Sequence, residues 1–113
     1  MSSKEEQFWN TARAGDLLLV KKLAADPTLN VNWQGNSGLT AFNGACYEGC
    51  VSVVEFLLKY PNIDVNKPTN EGYTPFYVAC REGHKEVVSL LLVDQRIDVN
   101  KPNKNQDTPF CVA

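Results

Sequence analysis

Apolar residues run along this chain in blocks that recur at a fixed step. Val87, Val88, Leu90, Leu91 and Leu92 form one block, Val53, Val54, Phe56, Leu57 and Leu58 stand 34 residues before it, and Leu17 to Leu23 make a looser third. Phe8, Phe42, Phe76 and Phe110 keep the same step, as do Gly15, Gly49 and Gly83. So do Val31, Val65 and Val99 and, beside them, the polar Asn32, Asn66 and Asn100. Self-similarity at a period of about 20–50 residues signals stacked supersecondary units rather than a closed core. The predicted unit is helix, tight turn, helix, with pairs over roughly residues 5–29, 40–62 and 74–96.

Local signals agree with that unit. The Thr74 hydroxyl can accept an orphan backbone N–H as an N-cap, and Pro75 stands at the first helical position, where a missing N–H costs nothing. Thr108-Pro109 repeats the start. The first helix of this unit is predicted to run to about Glu82 and to stop at Gly83, which tolerates a left-handed cap. The second helix, with its apolar block, must be covered on more than one side. A neighbouring pair on each flank supplies that cover, at about 1.5–3 kcal/mol per large aliphatic side chain fully buried. Between units, Asn32–Gly38 and Asn66–Gly72 carry turn formers, with Pro68 and Pro102 as stiffeners, and are expected to form extended, hairpin-like fingers.

Tyr73-Thr74-Pro75-Phe76-Tyr77-Val78-Ala79-Cys80-Arg81-Glu82-Gly83-His84 resembles the TPLHxAAxxGH segment of the ankyrin repeat family. Lys85 to Leu92 resembles that family's second helix, and Asp64-Val65-Asn66 and Asp98-Val99-Asn100 its hairpin opening. The resemblance implies an all-α solenoid of stacked antiparallel helix pairs joined by hairpin-like loops. It divides the chain into an N-terminal capping repeat at about 1–34, repeats at 35–68 and 69–102, and the start of a fourth at 103–113. The chain departs from the family in three ways. The period is 34 against about 33, the extra residue falling at Pro61-Asn62-Ile63 and Gln95-Arg96-Ile97, with each Ile expected to turn inward. The family's His after Thr-Pro-Leu is replaced by Asn43, Tyr77 and Cys111. The sequence ends at Ala113 inside the first helix of the fourth unit, so Phe110 and Val112 are expected to leave a sticky end open to end-to-end self-association.

The resemblance further implies a protein–protein interaction module without chemistry of its own, binding along a concave face of finger tips and first helices. Carried over position by position, that face comprises Trp33, Asn36, Ser37, Leu39, Tyr47, Glu48, Lys67, Asn70, Glu71, Tyr73, Arg81 and Glu82. Trp33, Tyr47, Tyr73 and Arg81 are the expected anchors, since Trp, Tyr and Arg dominate interface energies, and Trp33 is expected to stand clear of the core. The rival expectation is a structural N-terminal segment of a longer array whose active part follows Ala113. Asn66 and Asn100, each after Asp-Val with Leu58 or Leu92 eight positions back, also resemble a hydroxylation pattern of the family.

Composition narrows the choice. With 113 residues, 43% hydrophobic and 21% charged, the chain suits one domain. A net charge of -2 without a basic run excludes a general nucleic-acid binder. No apolar stretch is long enough to span a membrane and the N-terminus has no signal core, which points to the cytosol or nucleus and to four free cysteines. Cys46, Cys50, Cys80 and His84 suggest a tetrahedral zinc set. Cys46 and Cys80 fall on a small buried position equivalent to Ala12, however, and helices packed about 8–10 Å apart do not bring sulfurs within about 2.3 Å of one ion. Neither a metal nor a cofactor is expected. With a single His at a repeat-determined position and no phosphate-cradling Gly loop, no catalytic arrangement is encoded.

Overall fold

The computed structural model describes residues 3–109. Phe110 and Val112, on which the expectation of a sticky fourth-unit end rests, lie outside the described residues, as does Cys111. Among the described residues six α-helices follow one another as three antiparallel pairs: α1 Lys4–Ala14 with α2 Leu17–Ala24, α3 Ala41–Glu48 with α4 Val51–Leu58, and α5 Pro75–Glu82 with α6 Lys85–Leu92. The pairs stack into a body of 36 × 25 × 22 Å.

The helix starts follow from the sequence signals. Thr40 and Thr74 are buried N-caps whose hydroxyls accept the N–H of Asn43 and Tyr77 at 3.0 and 3.1 Å, and Pro75 opens α5. Gly49 and Gly83, both at φ 74, turn the chain through the left-handed region between the helices of a pair. The second helices stop earlier than the unit limits at residues 29, 62 and 96 that the sequence pattern suggests. Pro27 and Pro61 cannot continue a helix, and the Asp94 carboxylate draws off the Arg96 N–H at 2.9 Å. The fingers are short turns closed by single backbone bonds at the 34-residue step: Gly35 N–H to Leu39 O, Thr69 N–H to Tyr73 O, and Asn103 N–H to Asp107 O.

The core is continuous through the stack. Phe8, Phe42 and Phe76 line up across α1, α3 and α5, while Val20, Val53, Val54, Leu57, Val87 and Leu91 come from the second helices, and Ile63 and Ile97 turn inward as the longer linker suggested. Ala12, Cys46 and Cys80 stand at one repeat position, and small side chains there let α1, α3 and α5 approach closely. The bulkier α2, α4 and α6 touch less. The row of first helices is therefore the shorter, inner side of the stack. No apolar block is buried throughout: Val53, Val54 and Leu57 of the central pair are enclosed while Phe56 and Leu58 are half-buried. Leu18, 82% exposed on α2, stands at a position that faces solvent in every unit, as Ser52 and Glu86 do. Leu19 at 39% and Leu92 at 57% exposed are less covered than Val53 and Leu58, their counterparts in the central pair, which has a neighbour on each side.

Polar seams stitch the pairs. Asn32 donates its amide to Asn62 O at 2.8 Å and accepts Asp64 N–H at 2.8 Å; Asn66 does the same with Arg96 O at 2.6 Å and Asp98 N–H at 2.8 Å. A second seam covers the last carbonyls of α2 and α4: Tyr60 Oη donates to Ala24 O and Arg96 Nη2 to Leu58 O, both at 2.7 Å. The third reaches the inner helices, where Cys50 Sγ meets Arg13 O at 3.6 Å and His84 Nε2 meets Tyr47 O at 2.7 Å. A fourth zips the finger tips, Asn70 N–H to Ser37 O and Lys104 N–H to Glu71 O, at 2.8 and 3.0 Å.

Leu57→Ala, which empties a fully buried position in the central pair, should lower stability in urea denaturation by about 2–5 kcal/mol. Leu18→Ala on the exposed side of α2 should change it by less than about 0.5 kcal/mol. Equal losses from the two would contradict the burial pattern.

Candidate functional site

The inner side of the stack carries rows of aromatic and arginine side chains set by the repeat. Arg13, Tyr47 and Arg81 occupy one row along α1, α3 and α5, and Trp9, Asn43 and Tyr77 the row beside it. The Arg13 guanidinium lies 4.9 Å from the Trp9 ring centroid and reaches across to Glu48 at 2.9 Å. It can cross because Gly44 has no side chain: a Cβ there would stand 2.6 Å from the Arg13 stem. At the other end Arg81 lies 4.8 Å from the Tyr73 ring centroid and pairs with Glu82 at 3.1 Å, and Tyr73 packs on Tyr77 at 5.0 Å. Stacking of this kind holds a guanidinium plane in place while leaving its edge free to bond.

Trp33 corrects an expectation. It does not stand clear of the core but is half-buried, edge-on to the largely buried Trp9 with ring centroids 6.5 Å apart at 90°. Trp9 in turn donates its indole N–H to Leu39 O at 2.7 Å, and the Gly35 backbone fits against both rings. Leu39, Lys67 and Tyr73 are likewise half-buried, whereas Asn36, Ser37, Tyr47, Glu48, Asn70, Glu71, Arg81 and Glu82 are exposed. The chosen residues thus fall into two tiers, half-buried Trp33, Leu39, Lys67 and Tyr73 and the exposed remainder. Ser37 is exposed at φ 60, held in the left-handed region by the tight turn before Gly38.

Trp9, Arg13, Asn43 and Tyr77 were missed by the position-by-position carry-over. A signal for the first two existed, since Trp9 and Arg13 stand four apart on one helix and so share a face. Asn43 is fully buried, donates to Tyr73 O at 2.9 Å and leaves its Oδ1 without a partner. Of the two hydroxylation candidates, Asn66 has both sides of its amide engaged in the seam, while the exposed Asn100 has its backbone N–H on Asp98 Oδ1 at 3.0 Å.

The cysteines and His84 are dispersed among other tasks. Cys46 is fully buried and burial pushes its thiol pKa well up; burial, and then the Glu48 charge, raise that of Cys50. Cys50 and His84 face backbone carbonyls of the preceding pair. Cys80 is disulfide-bonded, which corrects the expectation of four free thiols: the expectation rested on the cell compartment, whereas the distance between two sulfurs depends on how the units pack. At the linker, the Arg96 hydrogen bond holds Asp94 below the usual carboxylate range.

The description of ankyrin repeats, in three copies, matches residues 8–103, so the chain belongs to the ankyrin repeat family, whose members are in general protein–protein interaction modules. No curated protein matches it. Among the described residues no helix is long and apolar enough to cross a membrane.

A thiol-reactive dye at neutral pH should label Cys46 only after denaturation, because the side chain is both enclosed and protonated. Rapid labelling of Cys46 in the folded chain would show that α3 is not packed as described.

Proposed function

We propose that the chain recognises a protein partner along the inner side of the stack, from the finger tips at Asn36, Ser37, Asn70 and Glu71 to Tyr47 and Arg81 on the first helices. The observation that carries this reading is the ordered floor beneath those groups. Arg13 on Trp9 and Arg81 on Tyr73 are held by ring stacking and by Glu48 and Glu82, so little side-chain freedom is left to lose on binding. Trp33 and Tyr47 add aromatic area between them, and such residues in a fixed setting make the usual hot spots. The floor carries both charges of each pair, so the partner is expected to combine an apolar or aromatic anchor with polar groups of both signs rather than a single charged stretch.

The test is capture from a native lysate on immobilised chain, with two triple variants shown to be folded by circular dichroism. Trp33→Ala, Tyr47→Ala and Arg81→Ala together should weaken retention of the captured protein at least about tenfold. Leu18→Ala, Lys21→Ala and Glu55→Ala on the outer side should leave it unchanged. Loss by the outer variant and retention by the inner one would reverse the assignment.

A further inference from the structure

The first unit departs from the others at two places on the inner side. At the 34-residue step Trp9 is followed by Asn43 and Tyr77, and Trp33 by Lys67 and Lys101. The later units stack without a pair of indoles. Neither ring belongs to the continuous core, to which the first unit contributes Phe8, Ala12, Val20, Ala24 and Val31. Stacking alone therefore does not call for these two tryptophans.

Their rings meet at a corner between α1 and the first finger. Trp9 is pinned by its indole N–H on Leu39 O at 2.7 Å, and Trp33 stands edge-on to it at 90° with centroids 6.5 Å apart. The Gly35 backbone closes the base of the corner. A Cβ there would stand 2.8 Å from Trp9 Cε2 and 3.1 Å from Trp33 Cζ3, so a side chain would push the finger away from both rings. The corner opens into a cleft of about 190 Å³ whose other walls are Glu6, Asn10 and Asn36. Those three residues are exposed and Trp33 is half-buried, so the cleft is open to solvent. Among the described residues no lysine or arginine lines it. The nearby Arg13 guanidinium lies on the Trp9 ring and is paired with Glu48, which shows that this indole holds a cation and places the Arg13 charge outside the cleft.

We propose that the cleft takes a lysine side chain of the protein partner. An ammonium group is drawn to the negative face of an indole ring, and the Glu6 carboxylate adds a charge of the opposite sign. The aliphatic stem of a lysine lies along apolar ring surface while its head stays polar. Lysine fits better than arginine. The acceptors here are one carboxylate and the amide oxygens of Asn10 and Asn36, spread around a corner, which suits a compact charge with rotatable donors rather than a planar fork. The site rests on the reading of the inner side as the recognition surface and adds the chemistry of one contact to it.

Trp9 and Trp33 are the two tryptophans of the chain, so their indole N–H resonances report on the cleft directly. The test titrates isotope-labelled chain, at neutral pH and fixed ionic strength, with capped glycine–X–glycine peptides in which X is lysine, norleucine or glutamate. The lysine peptide should shift the Trp33 indole signal saturably, and the other two should not. Glu6→Gln should weaken that binding about twofold or more. Trp33→Leu, shown to be folded by circular dichroism, should remove the saturable shift at the remaining Trp9 signal. Equal shifts from the lysine and norleucine peptides, no saturable shift from any peptide, or an unaltered affinity in Glu6→Gln overturns the proposal. The peptides need no partner, so such a result removes the lysine site and leaves the inner-side reading to the capture experiment.

Discussion

Each helix pair here has more apolar surface than its two helices can cover for each other, and a neighbour must supply the rest. An eight-residue second helix such as α4, with Val53, Val54 and Leu57 all fully buried, needs contacts on both flanks as well as against its own α3. Isolated helices of that length are not stable in water. Their order comes from stacking, and stability becomes a sum over units and the interfaces between them. The ends of the stack then differ from its middle for a reason that composition alone does not contain: Leu19 in the first pair is 39% exposed where Val53 is fully buried, and Leu92 in the last is 57% exposed where Leu58 is half-buried.

The polar seams follow from the same constraint. Stacking pairs closely enough to cover the aliphatic blocks also brings loop backbones together, and their N–H and C=O groups lose water. An asparagine amide answers this well, because one planar group offers a donor and an acceptor to a carbonyl and an N–H two residues apart. Asn32 and Asn66 do this across successive interfaces. A register slip by one residue would leave those groups unpaired as well as misplacing the valines, so hydrophobic and polar terms select the same step of 34 residues.

Much of this was legible in the sequence where the cause is local. Thr74, Pro75 and Gly83 act on their own backbone, and the inward turn of Ile63 and Ile97 follows from alternation within a short segment. What was not legible depends on distances between units. Trp33 reads as a free surface residue until α1 places Trp9 beside it; Arg13 reads as a solvated charge until Gly44 opens a path to Glu48; and Cys80 reads as a small core residue. The extra linker residue shows both kinds at once. Its length is visible in the period, but its consequence, Arg96 reaching back to cover Leu58 O, needs the preceding helix in place.

The inner side inherits its character from the packing beneath it. Small residues at Ala12, Cys46 and Cys80 draw the first helices together, and that closeness lets Arg13 reach Glu48 and the Trp9 indole reach Leu39 O in the next unit. Tyr47 and Arg81 can be replaced without opening a cavity, whereas Trp9 and Phe42 beneath them cannot. Recognition can thus vary on a floor that stability holds constant. It is this division between enclosed rings and exposed side chains, more than any single residue, on which the proposal of a protein partner for this side rests.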